Sequence, residues 1–274
     1  MADLWDPEFA GRSPLFEPLR PVAEAFRTSC WPGTADLNRA LVSGKPILNA
    51  NGLPLRFIDQ LPRPQCPEDK FEPRIFHRGE VQFRACFWHD FFNALVWMTF
   101  PACKAALNRR HVIEIERQRA AGAANRGPVQ DALTLFDEGG LIVAVSNPAL
   151  TRLLLDFQWT ELFWHRRSEI AVSMVFFVFG HALYEKALAP FSGVTGRAVV
   201  VEVDGNFSGL SHGEQHALLD RQVAARINDR TCFLTTRELA PVPVFGIPGW
   251  DENNARREYY DNTLYFRPAP RVVR

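Results

Sequence analysis

The chain has no apolar run of membrane length: the longest, Ile170 to Phe179, is about ten residues and contains Ser173, half of the roughly 20 that cross a bilayer. It has no excess of either charge, with 31 basic and 31 acidic residues, so no global field draws it to nucleic acid or anionic lipid. Cysteine is scarce and poorly spaced for cross-linking. The five thiols, Cys30, Cys66, Cys86, Cys103 and Cys232, are odd in number and form no C-x-x-C pair, which argues against a disulfide framework or zinc finger and for reduced thiols in a cytosol. The start, Met1-Ala2-Asp3-Leu4-Trp5-Asp6-Pro7-Glu8, lacks the positive flank and apolar run of a signal peptide. A soluble, cytoplasmic protein is expected. No Walker loop, G-x-G-x-x-G or H-E-x-x-H occurs, so the easiest nucleotidase, dinucleotide and zinc protease readings have no support.

What the chain does have is apolar mass. With 274 residues, 47% hydrophobic and 12% aromatic, it can bury the core of a single domain. Residues 1–70 are proline-rich, with Pro14, Pro18, Pro21, Pro32, Pro46, Pro54, Pro62, Pro64 and Pro67, and this spacing predicts a wrap with one short helix over Leu19 to Phe26. Asn49-Ala50-Asn51-Gly52 signals a turn. Arg74 to Arg84, with Ile75, Phe76, Val81 and Phe83 around Arg78-Gly79-Glu80, predicts a hairpin. A core over 71–240 and a loop-rich tail over 241–274, too aromatic to be disordered, complete the expected organisation.

Within the core, helical spacing from Cys86 to Arg119 with Pro101 inside predicts two helices or one kinked helix. Ala132 to Phe136 and Leu141 to Val145, flanking Asp137-Glu138-Gly139-Gly140, predict two strands around a turn. Asn147-Pro148 opens a helix through Leu150 to His165, and Val172 to Phe179 suits a buried strand. His181 to Leu188 reads as a helix, Arg197 to Val203 as a strand, and Ser211-His212-Gly213-Glu214 as a capping box whose helix buries Leu219, Val223 and Ile227. Helices and strands without a regular βαβ period make the class α+β, a single domain of mixed helices and a small sheet.

The chemistry concentrates in Trp88-His89-Asp90-Phe91-Phe92-Asn93-Ala94-Leu95-Val96-Trp97, where three polar groups sit among four aromatics. Polar groups in apolar surroundings need partners. His89 and Asn93 are four apart and share a helix face, with Asp90 reaching toward Asn93; His181 and Glu185 repeat that geometry on a second helix. If the two helices face each other, His89, Asp90, His181 and Glu185 form a set able to bind a divalent metal or to act as acid and base, with Asn93 donating to substrate. The bland reading, hydrogen-bonded core histidines and helix-end carboxylates, competes directly. His212 and His216 read as a solvated helix face, Asp137 and Glu138 as turn residues, and Cys86 and Cys103 as inert packing groups.

The strings Phe71-Glu72-Pro73-Arg74-Ile75, Trp88 to Trp97 with Phe100-Pro101 and Lys104-Ala105-Ala106-Leu107-Asn108, then Gly180 to Lys186 and Gly246-Ile247-Pro248-Gly249-Trp250 resemble a bacterial family known as domain of unknown function 3025. The resemblance covers about residues 50–268 and implies a bacterial cytosolic protein of one domain, without implying a reaction. The residues therefore favour a cytosolic enzyme whose polar site, walled by the helix from Cys86, the helix after Gly180 and the Trp250 to Tyr265 tail, takes a small molecule by acid–base or metal-assisted hydrolysis. One alternative is a non-catalytic binding or scaffold protein in which the same groups tie wrap and tail to the core. Another is a nucleic-acid adaptor using Arg109, Arg110 and Arg117, which the neutral composition does not favour.

Overall fold

Proline governs the opening of the chain, since each ring fixes φ and removes a donor and so leaves room only for short turns. The structure, a computed structural model, describes residues 4–122 and 125–269; Met1–Asp3 and residues 270–274 of the tail lie outside the described residues. Turns at Phe9–Gly11 and Pro14–Leu19 lead into α1 (Arg20–Ala23) and a further turn at Glu24–Phe26, where one short helix is expected. Phe9, Phe16, Leu19 and Phe26 are buried, so the segment is a wrap held by its apolar anchors.

After α2 (Thr34–Val42) come β1 (Arg56–Asp59), α3 (Phe71–Arg78) and β2 (Glu80–Phe83). β2 pairs with β1 in parallel, Arg56 opposite Glu80 and Asp59 opposite Phe83. The expected hairpin over Arg74 to Arg84 is therefore absent. Gly79 is not a hairpin turn but the left-handed residue ending α3, with φ of 69° and its N–H donating to the Ile75 carbonyl. A Cβ there would come within 2.3 Å of the Pro54 carbonyl oxygen.

Next come α4 (Trp88–Thr99) and α5 (Pro101–Ala120), the expected helix pair broken at Pro101. Asp220 accepts from the free N–H groups of Ala102 and Cys103 at 2.9 and 2.8 Å and so caps α5. α6 (Pro128–Gly139) then runs straight into β3 (Gly140–Val145). Ala132 to Phe136 is thus helix rather than strand: Leu133 and Phe136 bury one face, and Pro128 occupies the first turn. β3 is buried at every position, the mark of a central strand.

α7 (Pro148–Leu155), capped by Asn147, stops short of His165; a π-helical turn at Glu161–His165 and α8 (Arg167–Ser173) follow, and then β4 (Met174–Val178). α9 (His181–Ala187), β5 (Thr195–Glu202), α10 (His212–Asn228) and β6 (Ala240–Pro243) complete the order. The main sheet runs β4-β3-β5-β6, with β3 antiparallel to β4 and parallel to β5, and β1 and β2 form a separate pair. Helices and this small mixed sheet share one hydrophobic core, a single α+β domain. Among the described residues no helix is long and apolar enough to cross a membrane.

Two junctions meet where chemistry is expected. Phe179 and Gly180 both donate to the Gly140 carbonyl at 2.9 Å, so the α6–β3 and β4–α9 turns touch backbone to backbone. A Cβ on Gly180 would lie 2.3 Å from the Gly140 nitrogen. Only glycine permits that approach, and it brings the start of α9 beside the end of α6.

Candidate functional site

The division of α4 into two faces follows from its period. Phe91 and Phe92 are fully buried against Phe9, Phe16, Phe26 and Tyr184, which turns His89 and Asn93 toward α9 and α5. His89 Nδ1 lies 3.0 Å from Glu185 Oε2, and His89 Nε2 lies 3.1 Å from His181 Nε2. The rings meet edge to face, 80° apart. On the far side His181 Nδ1 lies 3.8 Å from Asp137 Oδ2, and Lys104 Nζ donates to Asp137 Oδ1 at 2.6 Å and to Asn93 Oδ1 at 2.8 Å. Hydrogen bonds thus join Glu185, His89 and His181 on one side and Asp137, Lys104 and Asn93 on the other, with His181 Nδ1 buried and unbonded between the two groups.

The two imidazoles face each other through their Nε2 atoms at hydrogen-bond distance, so one donates and the other accepts. Hydrogen bonding to Glu185 raises the His89 pKa against the opposing effect of burial. Burial lowers His181 to about 4, Lys104 and His89 adding repulsion while Asp137 opposes them. Of the two rings His89 is thus the one that holds a proton more readily, with Glu185 at its Nδ1 and His181 at its Nε2. Burial pushes the Asp137 carboxyl up, but Lys104 and His181 outweigh it and leave Asp137 below its usual range. The hydrogen bond from His89 lowers Glu185 similarly.

His89, Asn93, Asp137, Glu138 and His181 open on a cavity of about 730 Å³. Its outer wall is the Gln60–Pro64 segment between β1 and α3, not the Trp250 to Tyr265 tail. The tail packs elsewhere: Tyr265 donates to the Val194 carbonyl at 2.9 Å and Tyr260 to the Gly246 carbonyl at 2.9 Å.

The expected site residues thus divide. His89, Asn93, His181 and Glu185 come together, whereas both oxygens of Asp90 are taken by Arg84, at 2.7 and 3.0 Å from its guanidinium, so Asp90 does not reach Asn93. Among the described residues no three side chains of metal-binding type converge. His212 is solvated beside Glu17, but His216 is not: it packs between Phe100 and Phe177, and burial lowers its pKa to about 4. Arg110 of the basic run is buried and donates to the carbonyls of Ile227, Asp229 and Cys232, leaving it no part in a surface patch. Cys103 is buried and donates to the Asp220 carbonyl. Sequence reasoning missed Asp137 and His111 as cavity-side groups and Lys104 as the buried partner of Asp137 and Asn93. The one available signal was periodicity: Gln130, Leu133 and Asp137 share a face once 128–139 is read as helix.

A family model described as a protein of unknown function, DUF3025, matches residues 55–270. No curated protein and no solved structure matches the chain.

Proposed function

We propose, for a chain that belongs to the DUF3025 family and whose family description names no reaction, that it is a cytosolic enzyme moving a proton on a small polar molecule bound against His89 and His181. What supports this is one observation: two imidazoles in contact on a cavity wall, driven in opposite directions, one raised by a carboxylate and the other lowered by burial. Pairs split in this way are the usual basis of acid and base roles. His89, partly exposed and the more basic of the pair, is the donor; once it has given up the proton, His181 and Glu185 hold its ring ready to take one back. Asp137, held by Lys104, lies beside His181, and Asp137 and Asn93 line the cavity. A compartment that keeps the thiols reduced, as in a bacterial cytosol, fits this reading, and a small molecule rather than nucleic acid is the partner.

Titrating the histidines by nuclear magnetic resonance tests the pairing. His89 is expected to titrate above 6.5, to fall toward it in Glu185→Gln, and His181 to stay neutral down to about 4; two independent values near 6.5 would overturn it. His89→Gln separates enzyme from scaffold. An enzyme loses about 100-fold or more of its turnover in a panel of small esters, amides and phosphoesters, with little change in melting temperature. A scaffold instead loses several degrees of stability.

A divalent metal is the second reading, favoured because each imidazole turns its Nε2 inward with a carboxylate behind Nδ1, the arrangement that orients metal-bound histidine. Metal content of untagged protein, compared with His89→Ala and His181→Ala, decides it: near-stoichiometric metal lost in both variants supports this reading, and no metal in the parent protein removes it.

A further inference from the structure

Thr195 and Arg197 alternate onto one face of β5, and the register sets Pro243 and Pro241 opposite them on β6. Neither proline carries a side-chain acceptor, so the neighbouring strand leaves the Arg197 guanidinium unanswered. These four residues, with Phe157, Trp159, Tyr265 and Arg267, line a cavity of about 330 Å³ that has no acidic residue on its wall and shares no residue with the cavity of His89 and His181. Among the described residues Arg197 is the one arginine withdrawn from solvent that has neither a hydrogen bond nor an ion pair. The others so withdrawn, Arg20, Arg74, Arg110, Arg166 and Arg167, are all engaged. The ordinary use of a cation here would be to bond the last carbonyls of α6, since Arg197 Cγ lies 3.8 Å from where a Cβ on Gly139 would stand. No carbonyl accepts from it. Withdrawing a charge from water without a partner costs stability, a cost that persists where a ligand supplies the partner.

We infer that this cavity is a second binding site, taking a small carboxylate on a flat apolar body, with the carboxylate on Arg197 and the ring among Phe157, Trp159 and Tyr265. The wall selects that chemistry. A guanidinium presents its N–H donors as a planar fork that matches two carboxylate oxygens. The indole N–H of Trp159 and the hydroxyl of Tyr265 are already given to the Arg267 and Val194 carbonyls, at 2.7 and 2.9 Å, so both side chains offer a ligand carbon surface rather than bonds. Phe157 stands 5.5 Å from Trp159, its ring at 69° to it, on a left-handed backbone of φ 57°, a conformation that a phenylalanine keeps only when its surroundings impose it. Arg267, exposed and with Nε on the Leu264 carbonyl, adds positive charge at the rim. The volume is at the small end for ligand cavities, which suits one ring and its acid group. The site is independent of the proton-transfer reading.

Protein carrying 15N-labelled tryptophan, titrated with sodium phenylacetate at pH 7, tests it, with Trp159→Phe identifying the Trp159 indole resonance. That resonance is expected to shift saturably, with no saturable shift from 2-phenylethanol or from sodium chloride at equal ionic strength. Arg197→Gln weakens the apparent affinity about tenfold or more, as loss of a charged donor should, and leaves the melting temperature of the free protein unchanged or higher. Arg197→Lys keeps the charge without the fork and also weakens binding, so a poorly folded Arg197→Gln would not leave the matter undecided. His89→Gln leaves the affinity unchanged. The site is overturned if the Trp159 resonance does not move, if phenylacetate binds Arg197→Lys as tightly as the parent, or if Arg197→Gln loses several degrees of stability, the mark of a structural arginine. Tighter binding of phenyl phosphate than of phenylacetate would overturn the carboxylate assignment.

Discussion

Replacing Lys104 with Met lowers the melting temperature by about 10 °C at neutral pH. The ammonium lies between Asn93 and Asp137, at 2.8 and 2.6 Å, with the Trp97 ring 5.4 Å away. Methionine fills the space but leaves Asp137 with only the His181 edge, 3.8 Å distant. Breaking an enclosed pair from one side costs about 3–5 kcal/mol, and each kcal/mol is worth roughly 2–4 °C in a chain of this size. Removing Lys104 also removes a charge that holds His181 neutral, so His181 becomes easier to protonate and the loss shrinks below pH 6. Thermal scans of Lys104→Met alone and combined with Asp137→Asn measure this. The double variant is expected to recover most of the loss; a single variant within about 2 °C of the parent would mean that Asp137 is stabilised by something other than Lys104.

The second large effect is acid sensitivity carried by His181. Its pKa is about 4 in the fold against 6.5 without it, so the unfolded chain takes up the proton first. Stability from this group is complete above 6.5 and drains away as pH falls toward 4, by about 3 kcal/mol in all. His89 runs the other way: raised by Glu185, it contributes fully below 6.5, and that contribution is lost as pH rises through its folded value. His216, also lowered to about 4, adds to the acid loss, so the comparison must isolate His181. Urea unfolding at pH 6.5 and 4.5 for the parent and for His181→Gln does so. The variant should show a shallower fall, and equal slopes would refute the assignment of a neutral buried imidazole.

The parts of this site legible in the sequence were those carried by a single helix. His89 and Asn93, and His181 and Glu185, lie four apart, and a helical period alone puts each pair on one face. Gly180 before His181 likewise marked the turn from strand into helix. Asp137 was misplaced because a short apolar run such as Ala132 to Phe136 fits a strand or a buried helix equally well, and Gly139-Gly140 looks like a turn. Gly79 posed the same ambiguity: it reads as a hairpin turn unless Phe71 to Arg78 is recognised as a helix needing a left-handed end. Which segment closes the cavity was not legible at all. Gln60–Pro64 and the Trp250 to Tyr265 tail are both proline-flanked loops, and only the parallel pairing of β1 with β2 sets the first of them over His89.

That the two histidines stand 92 residues apart, and His89 and Glu185 96 apart, bears on how the protein matures. Contacts so distant in sequence form only after long loops have closed, which places them late in folding and makes them sensitive to anything that delays it. A growing chain on the ribosome carries His89 well before it carries its partner. The depressed titration of His181 therefore doubles as an internal clock for assembly, silent in every fragment that ends before α9.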